Sequence, residues 1–182
     1  MGNGSNLLVS DEGFRGMIIQ IGKNFQEISV QDTVIEVQAG ALLSRTARAA
    51  WNAGLTGFEF AAGIPGTTGG AVAMNAGAYG GEMKQIVESA EVLTSEGEVL
   101  NLTNEELGMG YRTSVIAKND YVALSAVLKL EKGDRQEIRA YMEDLKERRV
   151  TKQPLEFGSA GSTFKRPEGY FAGKLIQDSG MQ

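Results

Sequence analysis

The stretch GIPGTTGGAVAMNAGAYGG, Gly63 to Gly81, decides how the rest of the chain is read. Seven of its nineteen residues are glycine, and it holds no Asp, Glu, Lys or Arg. A backbone this bare adopts positive φ easily and lets a ligand approach closely, at a cost in conformational entropy. A flexible linker carries more Ser and fewer residues such as Ile64, Met74 and Tyr79. The stretch therefore reads as an ordered loop moulded around something that bears phosphates, with Gly69–Ala76 as a short helix inside it.

Working outward, Ala41–Ala53 reads as a helix with Leu42, Ala49 and Ala53 on one face and Gly54 as its stop. Before it, Met17–Ile21, Phe25–Val30 and Thr33–Gln38 read as three short strands rich in β-branched residues. After the glycine stretch, Ile86–Thr94 and Glu98–Leu102 form a hairpin around Ser95-Glu96-Gly97. Thr103-Asn104-Glu105-Glu106 fits a capping box and predicts a short helix. Tyr121–Leu130 alternates as a long strand. Asp134 caps a helix to about Arg149, with Ile138, Met142 and Leu145 on one face. A last helix begins at Ala172. Strands in hairpins and meanders, without βαβ alternation, predict an α+β fold, with a boundary near Lys132-Gly133.

The chain has 182 residues, enough for one good core or for one domain and part of a second. Its net charge of −5 argues against general nucleic-acid binding. It contains no Cys, which excludes disulfides, thiol nucleophiles and Cys-ligated zinc. It contains no His, which excludes a Ser-His-Asp triad and His–metal sites. Proton transfer is left to Ser, Tyr, Lys or carboxylates, with a cofactor carrying any harder chemistry. No apolar run is long enough to span a bilayer, and no signal peptide is visible.

A second glycine loop, Gly2-Asn3-Gly4-Ser5-Asn6, opens the chain and reads either as a structural turn or as a phosphate cradle. Neither loop has a Walker lysine or a clean GxGxxG pattern. Between Lys146 and Lys174 seven basic residues face three acidic ones, a local charge of +4. For Lys146 and Arg148 a solvated helix end is an equal reading. Lys165 and Arg166, in a glycine-flanked loop, suit an anionic ligand. Ser162, in Ser159–Lys165, is either a loop serine or a proton donor with cations near it. Arg112, after Met109-Gly110-Tyr111, is either a surface residue or a carboxylate clamp.

Four segments together resemble the UDP-N-acetylenolpyruvoylglucosamine reductase family, flavoenzymes that complete UDP-N-acetylmuramate in peptidoglycan synthesis. They are GNGSNLL (Gly2–Leu8), AGIPGTTGGAVAMNAGAYGGE (Ala62–Glu82), GYRTS (Gly110–Ser114) and KQPLEFGSAGSTFKRPEGYFAGKLI (Lys152–Ile176). They occur in the family's order and at its spacing, and the uninterrupted run from Tyr111 to Ser162 is similar to the family's shorter, second-type form. Gly158 departs from it, standing where a proline is expected. The resemblance implies an FAD-binding lobe of the PCMH/vanillyl-alcohol-oxidase-like type over residues 1–131, then the start of a substrate-binding domain over 132–182.

By the same resemblance, Gly2, Asn3, Gly4, Ser5 and Asn6, with Gly63, Ile64, Pro65, Gly66, Thr67, Gly69 and Gly70, hold the FAD diphosphate and ribityl chain. Asn75, Ala76 and Gly77 lie close to the flavin. Arg149, Lys165 and Arg166 meet the nucleotide-sugar side of the substrate, UDP-N-acetylglucosamine enolpyruvate. NADPH reduces FAD, hydride passes to the enolpyruvyl methylene carbon, Arg112 stabilises the charge on the carboxylate, and Ser162 supplies the proton. The expected setting is cytoplasmic, with no metal, nucleic acid or membrane involved. Family members carry a further N-terminal segment and a C-terminal part with a catalytic glutamate. The chain is therefore expected to be an internal fragment that holds FAD poorly and is inactive alone. The other readings are a flavin oxidase or dehydrogenase of the same superfamily, or a non-catalytic nucleotide-binding module.

Overall fold

The computed structural model describes residues 1–152 and 164–181. They belong to two compact units, Met1–Glu147 and Arg148–Gln182. In the first unit, β1 (Ile28–Gln31) and β2 (Val34–Gln38) form a hairpin. Next come α1 (Leu43–Asn52), β3 (Leu55–Thr56), α2 (Thr68–Ala73) and the paired β4 (Gly77–Ala78) and β5 (Gly81–Glu82). Then β6 (Val87–Leu93) and β7 (Val99–Thr103) make a second hairpin. α3 (Val115–Lys118), β8 (Val122–Lys129), β9 (Glu131–Lys132) and α4 (Arg135–Lys152), whose residues as far as Glu147 belong to this unit, complete its order.

Five strands make one antiparallel sheet in the order β1-β2-β8-β6-β7. The α+β expectation therefore holds. β8 enters between the two earlier hairpins and ties them together. One face of the sheet is covered, because Ile35 and Val37 of β2 are buried while Glu36 between them is exposed. In β6 a register shift between Val87 and Ser89 lets Val87 and Ala90, three residues apart, both be buried. Leu43, Ala47 and Ala50 of α1 and Ala71 and Val72 of α2 join the same core, with Phe58, Phe60, Met83 and Leu107. Alanine at so many of these positions lets both helices lie close to the sheet.

The helix signals behave as local chemistry dictates. Gly54 ends α1 at φ 67°, its N–H donating to Trp51 O at 3.0 Å. Asp134 caps α4, its Oδ1 accepting from the N–H of Gln136 at 2.8 Å and of Glu137 at 3.1 Å. Ile138 and Leu145 of α4 are buried.

Three expectations change. Met17–Ile21 is not a strand: its backbone hydrogen bonds run to Met1, from the Met1 amino group to Ile19 O and from Ile21 N–H to Met1 O, and Met17, Ile18 and Ile19 are exposed. The next strand begins at Ile28 rather than Phe25, because Phe25 N–H turns back to Gly22 O. The capping box at Thr103 forms, with Glu106 Oε2 accepting from Thr103 N–H and Oγ1, both at 2.9 Å, yet no helix follows. The chain turns instead, and Leu107 and Met109 drop into the core. Burial of those two side chains outweighs a cap that offers only a few orphan N–H groups.

The second unit contains α5 (Ala172–Asp178), with a Lys174–Asp178 ion pair one turn apart at 2.7 Å. Gly180 follows it at φ 70°.

Candidate functional site

The glycine stretch has two working ends. At the first, the loop Gly2–Asn6 lies against Pro65–Thr67: Ser5 Oγ donates to Pro65 O at 3.1 Å, and a Cβ on Gly2 would collide with the Thr67 hydroxyl. Gly66 sits at φ 132°, and a Cβ there would come within 3.1 Å of Ser5 Oγ. Two loops separated by sixty residues are thus brought together, and neither carries an acidic side chain. Bare backbone without carboxylates suits a diphosphate. The residues present therefore fit the diphosphate part of FAD.

Not every glycine or N–H of the stretch faces outward. The N–H groups of Thr68 and Gly69 donate to Ala41 O at 2.8 Å and to Ala39 O at 2.9 Å, holding the start of α2 on the end of β2. A Cβ on Gly69 would lie 2.6 Å from Ala39 Cβ, so this glycine serves packing. Gly81 is fixed by the Phe60 ring in the same way, 2.5 Å from where its Cβ would stand. Gly63, Pro65 and Gly70 are exposed and Ile64 is half-buried.

The second end lies at Asn75–Glu82. Tyr79 and Gly80, both at positive φ, close the β4–β5 turn. Arg112 comes to this hairpin from 35 residues away, Nη2 donating to Gly77 O at 3.4 Å. Its guanidinium also stands 5.5 Å from the Tyr111 ring centroid. Arg112 is half-buried at φ 57°, at the tip of a turn closed by Gly110 N–H to Thr113 O at 3.0 Å and Thr113 N–H to Gly110 O at 3.2 Å. Asn75, placed by resemblance near the flavin, is buried at φ 42°. Its side chain is engaged by protein on both sides: Nδ2 donates to Glu82 Oε2 and to Gly110 O, each at 3.1 Å, and Oδ1 accepts from Lys84 N–H at 2.8 Å. What Asn75 offers a cofactor is backbone. Ala76 and Gly77 are half-buried beside it.

Sequence reasoning missed Ser114 and Glu82 as supports of this end. Ser114 is buried and its Oγ donates to Ala73 O at 2.7 Å. Asn just past the end of α2 was itself a readable signal, since Asn tolerates the left-handed conformation that stops a helix. Ser114 carried no comparable signal, because its partner is 41 residues away.

In the second unit, Arg166 Nε donates to Tyr170 O at 3.2 Å, and its guanidinium stacks on Phe171 at 4.0 Å from the ring centroid. Lys165 is exposed and Arg149 is half-buried on α4. Ser162 lies outside the described residues.

A mixed fold with two carboxylate-free glycine loops joined at one edge, and an arginine at the other end of the longer loop, suits a protein that binds a phosphate-bearing cofactor. The chain belongs to the FAD-binding domain family, whose model matches residues 1–103. Residues 153–182 match the UDP-N-acetylenolpyruvoylglucosamine reductase C-terminal domain. Over all 182 residues the chain is 56% identical to the UDP-N-acetylenolpyruvoylglucosamine reductase of Clostridioides difficile (strain 630), covering 60% of that protein. It is 58% identical over the same span to that of Alkaliphilus oremlandii (strain OhILAs), again covering 60% of it. A crystal structure of UDP-N-acetylenolpyruvylglucosamine reductase from Thermus caldophilus superposes with a TM-score of 0.86 at 40% identity, covering all of this chain and 66% of that one. The resemblance read from four segments thus extends over the whole chain, which spans about 60% of the length of the curated relatives it matches.

Proposed function

We propose that this chain provides the flavin-binding part, and the start of the substrate-binding part, of an NADPH-dependent reductase. Its substrate is the enolpyruvyl ether of UDP-N-acetylglucosamine and its product UDP-N-acetylmuramate, a precursor of the cell wall, made in the cytoplasm. We place the beginning of the substrate-binding part at residue 132. The observation that carries the reading is the delivery of Arg112 to Gly77, at the end of the glycine stretch away from the diphosphate loops. An anion-binding group there meets a substrate carboxylate, while the loop pair at Gly2–Asn6 and Gly63–Gly70 holds the cofactor's diphosphate.

FAD, when bound, would supply the hydride chemistry that no protein side chain can. The net change adds one hydride, originating from NADPH, and one proton across the enolpyruvyl carbon–carbon double bond. Arg112 orients the carboxylate and stabilises the charge that gathers on it, an effect worth about 3–4 kcal/mol for a preorganised donor. Ser162 gives its hydroxyl proton to the carbon next to the carboxylate. Arg149, Lys165 and Arg166 offer positive charge to the sugar-nucleotide diphosphate.

The test is to express the protein from its natural reading frame, load it with FAD and follow NADPH oxidation with and without the enolpyruvyl sugar nucleotide. Substrate-dependent oxidation is expected. Oxidation driven by oxygen alone, with no response to the enolpyruvyl compound, sinks the reading. In Ser162→Ala, flavin reduction by NADPH is expected to persist while reoxidation by substrate slows. An equal fall in both rates removes Ser162 as the proton donor.

A further inference from the structure

The described residues that surround Arg112 hold it in a conformation L side chains seldom adopt. At φ 57° it stands at the tip of the Gly110–Thr113 turn, and such a backbone persists only where neighbours impose it. Both ends of the turn are tied to one short segment. On the near side Gly110 O accepts from Asn75 Nδ2 at 3.1 Å. On the far side Ser114 Oγ donates to Ala73 O at 2.7 Å. Two residues beyond Asn75, Gly77 O accepts from the Arg112 guanidinium itself.

The orientation of the Asn75 amide follows from its partners. Lys84 N–H requires an acceptor, so Oδ1 faces it, while the Glu82 carboxylate and the Gly110 carbonyl require donors, so Nδ2 faces both. Few side chains satisfy all three. Asp keeps the acceptor but sets a carboxylate against another carboxylate and a carbonyl. Gln carries the amide one carbon farther out. Only 2% of Asn75 is exposed, so water offers little replacement for the missing partner.

We propose that Asn75 is a positioning residue for Arg112: its amide locks the Tyr111-Arg112 turn to the β4–β5 hairpin and so fixes where the guanidinium meets a substrate carboxylate. This rests on the proposed role of Arg112, and the experiment separates the two. Asn75→Gly removes the amide and keeps the φ 42° backbone at no steric cost. Asn75→Asp keeps the shape and loses the two donated bonds.

In the FAD-loaded protein, flavin bleaching by NADPH and reoxidation by the enolpyruvyl substrate are timed separately. For both variants we expect reoxidation slowed about 100-fold, the scale of a roughly 1 Å misplacement, and bleaching, which senses any change in the backbone Asn75 offers the cofactor, slowed at least about tenfold less. In an Arg112→Ala background, adding Asn75→Gly is expected to change reoxidation by less than about twofold, since one interaction is lost only once. Equal slowing of both half-reactions, or effects that multiply independently, overturns the proposal. A second readout needs no substrate: trypsin cleavage after Arg112 should accelerate about tenfold in Asn75→Gly while the thermal transition persists. Unchanged cleavage there overturns the proposal even if the parent proves to act on another substrate. Ser114→Ala, which loosens the other end of the turn, should give the same split more weakly, and it carries the test if the Asn75 variants do not fold.

Discussion

Adjacent glycines in the α2 segment should answer the same substitution with opposite signs. In Gly69→Ala the new Cβ would lie 2.6 Å from Ala39 Cβ and 3.2 Å from both Ala39 Cα and Ala39 O. Ala39 is itself anchored, its N–H donating to Leu124 O at 2.8 Å, so the helix must give way rather than the sheet. Relief requires a shift of roughly 1 Å, and overpacking of this kind costs about 1–3 kcal/mol. The shift also stretches the Gly69 N–H bond to Ala39 O and the Thr68 N–H bond to Ala41 O, each worth about 1 kcal/mol. Against this stands a helix-propensity gain of at most about 1 kcal/mol. Packing wins, and the net loss is about 2 kcal/mol, or about 4–8 °C in Tm for a protein of this size. Among the described residues a Cβ on Gly70 meets only Thr67 Oγ1, at 3.6 Å, an ordinary contact. Gly70→Ala should therefore be neutral or up to about 1 kcal/mol stabilising in the flavin-free protein, while lowering FAD affinity if Gly70 lines the diphosphate. Urea melts of the apo variants, with FAD titrations beside them, check both arms. Equal stability of the two variants, or a Gly69→Ala protein as stable as its parent, would refute the packing argument.

Glu59 is buried, and its carboxylate accepts from Thr56 Oγ1 at 2.7 Å and Gly57 N–H at 2.8 Å. Glu59→Ala should cost about 1–3 kcal/mol by leaving both donors unmatched, measured by chemical denaturation. Arg112→Ala should slow substrate-dependent flavin reoxidation about 10²–10³-fold, and Arg112→Lys should restore only part of it, since an ammonium lacks the planar fork. The Asp32 carboxyl is held below its usual range, first by the hydrogen bond from Lys132 and then by that residue's charge. A depressed folded-state value means that the stabilisation is present above the ordinary carboxylate pKa and is lost as pH falls through the lower folded value. The parent should lose slightly more stability than Asp32→Asn between about pH 5 and about pH 3, as read from urea midpoints at the two values.

Much of the fold was legible because the signals that set it act over three or four residues. Asp134 capping α4, Gly54 stopping α1 and the alternation of β2 each need only the neighbouring backbone. The Thr103 capping box was read correctly as chemistry and wrongly as a helix, since the burial of Leu107 and Met109 is not a local property. Met17–Ile21 has the composition of a strand, but a strand is made by its partner, and among the described residues its backbone hydrogen-bonds only to Met1.

The site divides along the same line. What could be read along the chain was a carboxylate-free, glycine-rich backbone of the kind that suits a phosphate-bearing group, and the motifs of a family. The sequence could not tell a glycine kept for a ligand from one kept for a neighbour. Gly69 and Gly81 belong to the second kind, because Ala39 and Phe60 occupy the space their side chains would need. That distinction comes from packing, which also brings Gly110–Ser114 onto Ala73–Gly77 so that Arg112 reaches the far end of the glycine stretch. The physical reason is that hydrogen bonds spanning 35 and 41 residues leave no periodic trace in the chain. They belong to the packed fold, in which α2 lies against β8 of the sheet.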